Sequence, residues 1–146
     1  MWEFEHTITT MAKAETIWKL YSDISTWVEW DKGIVYASLE GPFTAGTRGQ
    51  LQPEGQELLA FELTEVSPLN GFSDVTDIPD AGIQIRFMHR LLETAEGTSV
   101  THKVTIIGPN AEHLGPEFGA GMAEGIPDTM ERLVSLALER ERQLVD

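Results

Sequence analysis

The sequence predicts an α+β domain in which a run of antiparallel strands carries one long C-terminal helix. Three observations predict it. Apolar and polar residues alternate from Trp2 to Thr9, turn-forming glycines and prolines cut residues 33–108 into short segments, and after Gly108 and Pro109 the apolar period becomes helical.

Taking the elements in order, Trp2, Phe4, His6 and Ile8 alternate with Glu3, Glu5, Thr7 and Thr9, the pattern of a strand with one face in the core. Ile17, Leu20, Tyr21 and Ile24 then recur at helical spacing. Thr26 followed by Glu29 fits a capping box that opens a second short helix bearing Trp27 and Trp30, so helix is expected over about 14–31. Turns are expected at Gly41 to Gly46, Pro53 to Gly55, Pro68 to Gly71, Pro79 to Gly82, and Glu96 with Gly97; these five divide residues 33–108 into six strands. Over about 115–142, Phe118, Met122, Ile126, Met130, Leu133 and Ala137 form one stripe, with Glu117, Glu124, Asp128, Glu131 and Glu139 largely away from it. Fully burying each large residue of that stripe is worth about 1.5 to 3 kcal/mol, so the helix must lie on the sheet. Pro127 inside it, with Gly119, Gly121 and Gly125 just before, loosens its front half. That half is either an irregular helix start or a lid end that adjusts to a ligand.

The 146 residues hold no repeat, linker or low-complexity stretch, so one domain spanning 1–146 is expected. Acidic residues outnumber basic ones 24 to 10, a net charge of -14, which repels phosphate backbones and anionic membranes. Nucleic acid is not an expected partner. The apolar runs fall far short of the roughly 20 residues that cross a bilayer, so no membrane insertion is expected. Met1 to Thr10 has no basic or apolar leader region and the chain has no cysteine, which together suit a cytoplasmic protein. No cofactor is expected, because phosphate-binding glycine loops, dinucleotide fingerprints and nucleophile elbows are all missing from the sequence. The histidines are His6, His89, His102 and His113, without a motif such as HExxH, and no metal is expected.

The turns also predict which strand face turns inward. A two-residue turn at Glu96 and Gly97 sets Leu91 opposite His102, His89 opposite Val104 and Phe87 opposite Ile106. The turn at Pro79 to Gly82 pairs Ile78 with Ile83, Thr76 with Ile85 and Asp74 with Phe87, and that at Pro68 to Gly71 pairs Leu63 with Thr76 and Glu65 with Asp74. All three agree on one apolar face, on which Leu59, Phe61, Leu63, Ile85, Phe87, Val104 and Ile106 stand with five polar exceptions: Glu65, Asp74, Thr76, His89 and His102. His89 and His102 become diagonal neighbours about 7 to 8 Å apart, able to touch one ligand or water. A histidine titrates near neutrality, so the pair could serve as general acid and base; each also fits a packed residue satisfied by a backbone carbonyl. Glu65 facing Asp74 would be a like-charge pair in which one carboxyl keeps its proton, unless both stand at a wet strand end.

The order of elements, together with Trp18 to Asp23, Trp27, Trp30, Gly41 to Phe43, Gly46, Thr47, Phe87, His89, Thr98 to His102, Gly108, Pro109 and Leu114 to Gly121, resembles the START-like (SRPBCC) helix-grip superfamily and its polyketide cyclase and dehydrase branch. The resemblance spans nearly the whole chain. It implies a seven-stranded curved antiparallel sheet wrapped around the C-terminal helix, two short helices after the first strand, and a cavity between sheet and helix. Trp27, Trp30, Tyr36 and Phe43 lie in the segment that borders the pocket mouth in this family. The expected ligand-binding residues are therefore Trp27, Trp30, Tyr36, Phe61, Leu63 and Thr76, with Ile85, Phe87, Val104, Phe118, Met122 and Ile126. His89, His102 and Asp74 are the candidates for acid/base work. The fold hosts several activities. Binding or carriage of an apolar small molecule (polyketide, lipid, quinone or aromatic metabolite) needs only the cavity. A cyclase or dehydratase needs a perturbed titrating group as well, and an interaction protein like the chaperone activators needs neither.

Overall fold

A computed structural model describes residues 1–145; Asp146, the end of the expected domain, lies outside the described residues. Strand β1 (Trp2–Thr10) leads into α1 (Ala14–Ser22), a 3-10 turn at Ile24–Thr26 and α2 (Trp27–Trp30). Six strands follow: β2 (Ile34–Leu39), β3 (Arg48–Pro53), β4 (Leu59–Ser67), β5 (Gly71–Ile78), β6 (Ile83–Thr94) and β7 (Gly97–Ile107), and then α3 (Ala111–Val145). Among the described residues these strands make one curved antiparallel sheet in the order β1-β7-β6-β5-β4-β3-β2.

The expected inward face is largely met, with two changes of register. Thr94 pairs with Gly97, so Ala95 and Glu96 form the turn and every β6 residue meets a β7 partner two positions earlier than expected. His89 consequently stands directly opposite His102, Phe87 opposite Val104 and Leu91 opposite Val100. A shift of two preserves the facing of every side chain, so both histidines still point inward. In β4, Leu63 pairs with Asp74 and Phe61 with Thr76, after which an irregularity sets Glu65 opposite Ser73. The extra residue turns Glu65 outward, where it is exposed, and the expected Glu65 and Asp74 pair does not form.

Helix α3 starts at Ala111, ahead of the expected 115, and runs through Pro116 and Pro127. Its entry is fastened from outside the helix: the Asn110 side-chain amide donates to the Ala81 carbonyl at 2.8 Å. The back half packs on β1, β7 and α1, with Met130, Leu133 and Ala137 fully buried. In the front half the buried positions are Ala111, Gly115, Gly119 and Ile126, and the Trp2 indole lies against the two glycines, one turn apart. Gly115 and Gly119 are thus a seat for a ring from the far end of the chain, whereas Gly121 and Gly125 face open space. Phe118, at the flank of the stripe, is 38% exposed.

Candidate functional site

Three cross-strand rows make the middle of the concave face. The first is His6, His102, His89 and Phe72 on β1, β7, β6 and β5. The second is Phe4, Val104, Phe87, Asp74 and Leu63, and the third Trp2, Ile106, Ile85, Thr76 and Phe61, each running on into β4. Polar groups therefore stand at the centre of an otherwise apolar wall.

The histidine row is covered by α1 and α2. Tyr21, wholly buried, shares a hydrogen bond with His102 through its hydroxyl and Nε2, at 2.7 Å. The His89 ring stacks on Phe72 with centroids 4.0 Å apart and meets His102 edge-on at 4.6 Å. His89 Nδ1 lies 3.3 Å from the Phe72 carbonyl. A carbonyl only accepts, so Nδ1 carries the hydrogen and the neutral ring keeps Nε2 as an acceptor. Burial pushes His89 down to about 4, with its bond to the Phe72 backbone acting weakly the other way. Burial also holds His102 well below the usual range, helped by His89 and His6, and holds Tyr21 well above its own. All three side chains are neutral at neutral pH, contrary to the expectation that the histidines titrate there.

Trp27 and Trp30 have both polar ends occupied. The Trp27 indole N–H donates to the Tyr21 carbonyl at 2.9 Å and that of Trp30 to the Thr26 hydroxyl at 3.2 Å. The Thr26 hydroxyl donates to the Leu20 carbonyl at 2.6 Å, so it ties α2 to α1 and makes no helix-capping bond. Trp27 stacks on Phe61 at 5.6 Å and lies 5.7 Å from Phe72. Phe61 reaches this position across Gly49, where any Cβ would collide with its ring and with the Ser38 carbonyl. These rings fill the space over the histidine row.

Asp74 and Thr76 are 3% and 2% exposed. Asp74 has Leu63 and Phe87 beside it on the neighbouring strands, and burial, with the negative charge of Asp31, pushes it up to about 8. Asp31, just after α2, is itself raised by burial, while the Gly33 N–H, donated to it at 3.0 Å, and the Arg132 charge pull it back. Arg132 on α3 donates to the Glu29 carbonyl at 2.6 Å, and its Nε is a buried donor with no partner. The Thr76 hydroxyl is likewise buried and unpartnered.

Of the expected ligand-binding residues, Trp27, Trp30, Phe61, Leu63, Thr76, Ile85, Val104 and Ile126 are buried, and Phe87 and Met122 are half-buried. Tyr36 is 47% exposed and pairs with Gln52, which alternates with the inward Leu51. It lies on the convex face because an irregularity between Ile34 and Tyr36 shifts the strand, and so it does not border the interior. Among the described residues two hollows stand out, and both are external. One of about 510 Å³ runs between α2 and the back of α3 past Glu29, Arg132 and Leu136, and one of about 350 Å³ lies beside Leu69 and Leu92. No group of three His, Cys, Asp or Glu residues suited to a metal occurs among the described residues. Tyr21, Asp31, Phe72, Arg132 and Trp2 complete this region, and none of them was among the expected site residues. Tyr21 alone had a usable signal: a tyrosine on the buried stripe of a helix needs a partner for its hydroxyl.

The model of the polyketide cyclase / dehydrase and lipid transport family matches residues 1–142. The chain belongs to that family. This member of the SRPBCC, START-like superfamily is similar in fold to protein MLL2253 from Mesorhizobium loti, with a TM-score of 0.76 and 17% identity over 95% of this chain and 98% of the other. It is also similar to TTHA0849 from Thermus thermophilus, with a TM-score of 0.71 and 18% identity over 94% and 98% of the two chains. Ara h 8.0201 superposes with a TM-score of 0.75 at 12% identity, over 94% and 98%. These likenesses define the helix-grip fold. No curated protein matched the chain.

Proposed function

We propose that this family member binds and carries an apolar small molecule, of the polyketide, lipid, quinone or aromatic-metabolite kind, between the front half of α3 and the rows of Asp74 and Thr76. The observation that supports it is the contrast along α3. Its back half is sealed on the sheet, while its front half leaves Phe118 and Met122 partly uncovered, and a Cβ added at Gly121 or Gly125 would meet nothing within 4 Å. Phe118, Gly121, Gly125 and Arg132 are spaced to share one stripe, and Arg132 reaches Glu29 and the field of Asp31, so this stripe starts beside α2, with Phe118, Gly121 and Gly125 exposed along its open end. Half-buried Phe4 and Phe87 and buried Ile85 supply an apolar floor. Apolar wall with few placed polar groups is the composition of small-molecule sites.

The ligand contacts proposed are Phe61, Leu63, Thr76, Ile85, Phe87, Val104, Phe118, Met122 and Ile126, with Trp27 and Trp30 closing the inner end. Cysteine-free composition and the lack, among the described residues, of a helix long and apolar enough to cross a membrane suit a cytoplasmic carrier. A cyclase or dehydratase is the second reading, favoured by an acid, Asp74, on the row next to an acceptor, His89 Nε2. Thermal-shift and tryptophan-fluorescence titrations with fatty acids, quinones and aromatic polyketides test the carrier reading. Binding to the folded state should raise the melting temperature by several degrees, and Met122→Phe should weaken binding more than it lowers stability. If no compound shifts the transition, and native mass spectrometry of the purified protein shows no apolar passenger, the interaction-protein reading replaces it.

A further inference from the structure

We propose that the ligand's polar end is an uncharged carbonyl oxygen, received between the Asp74 carboxyl and the Thr76 hydroxyl. The inference rests on the carrier reading and names what that site selects. Thr76 and Asp74 stand two residues apart on one face of β5, a separation of about 6.8 Å along the strand, so a single oxygen placed between them lies within hydrogen-bond reach of both side chains. The Thr76 hydroxyl has no partner although it is buried, and leaving such a group unpaired costs about 1 to 3 kcal/mol. A site that keeps an unpaired hydroxyl under apolar walls is prepared for a partner from outside the chain.

What that partner must be follows from its surroundings. Leu63 and Phe87 flank Asp74, and Phe61 and Ile85 flank Thr76, so no fixed charge touches the space between them. Asp74 in such surroundings keeps its proton at neutral pH and offers an O–H, as burial and the charge of Asp31 require. Two O–H donors side by side call for an acceptor. A carboxylate ligand would meet the charge of Asp31 and the net charge of -14. An ammonium ligand would require Asp74 to ionise among hydrocarbon, while Arg132 already supplies positive charge on the Asp31 side. A ketone or quinone oxygen satisfies both donors with no charge buried.

One skeleton in three forms tests this: 1-tetralone carries a ketone, tetralin carries only hydrogen at that carbon, and 1-aminotetralin carries an ammonium. Calorimetric or fluorescence titration of the protein at pH 7 should give 1-tetralone about tenfold tighter than tetralin, with 1-aminotetralin weakest. Thr76→Val and Asp74→Leu should each bring 1-tetralone close to the affinity that the same variant shows for tetralin, so the preference is read within each variant. Asp74→Asn, whose amide still donates, should retain it and serves as the conservative variant, with circular dichroism melts checking that every variant folds. Bound 1-tetralone should also show its carbonyl stretch moved to lower wavenumber. Equal binding of 1-tetralone and tetralin overturns the carbonyl site while the carrier reading stands, tighter binding of 1-aminotetralin overturns it in favour of a cation site, and binding of none of the three overturns the carbonyl site on this skeleton, with the carrier reading decided separately by the ligand screen and native mass spectrometry.

Discussion

An aspartate ordinarily titrates near 3.8 and a histidine near 6.5, yet within this sheet Asp74 lies at about 8 and His89 at about 4. Both displacements have burial as their main cause, because a low-dielectric wall disfavours the charged form of either group. Their effects on stability run in opposite directions with pH. Asp74 binds its proton more tightly when folded, so its contribution is complete below about 4 and is lost as pH rises toward about 8. His89 is neutral when folded, so its contribution is present above 6.5 and is lost as pH falls toward about 4. The two offset each other between those limits, and from about 6.5 to 8 only Asp74 acts. Unfolding free energy should therefore fall there by up to about 1.4 kcal/mol per pH unit, and Asp74→Asn should flatten the slope. Urea denaturation at about pH 6.5, 7.25 and 8 measures it; a wild-type slope equal to that of Asp74→Asn would mean that Asp74 is ionised in the folded protein.

Helix α3 carries two kinds of glycine, and they should respond oppositely to a methyl group. At Gly119 the added carbon would run into the Trp2 ring, whereas at Gly121 it meets nothing within 4 Å. Gly121→Ala should raise stability by about 0.5 to 1 kcal/mol through helix propensity alone. Gly119→Ala should lower it and shift Trp2 emission to the red as the ring is driven toward water. Thermal melts with fluorescence detection read both, and a stabilising Gly119→Ala would show that Trp2 does not sit on that turn. At this scale the sequence was legible in kind but not in seat. Alternation and turn residues gave every strand and the inward face of His89, His102, Asp74 and Thr76. The β6 to β7 turn fell one residue early, on Ala95 and Glu96, because Gly97 supplies its positive φ after the turn and not within it. Glu65 was misplaced by an irregularity that no local residue announces. Arg132 and Asp31 join the site only through the packing of α3 on α2, a relation between positions about a hundred residues apart.

Across the whole molecule the unbalanced quantity is charge. With -14 distributed over a chain of 146 residues, like charges repel within the folded form more than within the expanded one. The four ion pairs among the described residues, such as Arg48 with Glu62 at 3.3 Å and Lys103 with Glu3 at 3.3 Å, are largely surface contacts that answer few of the acids. Raising monovalent salt from about 10 mM to about 150 mM shortens the screening length from about 30 Å to about 8 Å, and the melting temperature should rise. A melting temperature that stays flat or falls would mean that favourable pairs outweigh the repulsion.

The seat of Trp2 on α3, and the pairing of β1 with β7 alone, bear on how the protein comes to be made. On a chain emerging from its N-terminus, Trp2, Phe4 and Ile8 wait for β7, and the indole waits longer, until Gly119 has been added. At about 5 to 20 residues per second, a delay of about a hundred residues lasts about 5 to 20 s. Strands β2 to β6 each gain a neighbour from the next segment synthesised, whereas β1 spends this interval with its apolar face uncovered and nothing to pair with. The sheet closes last at the edge that was made first.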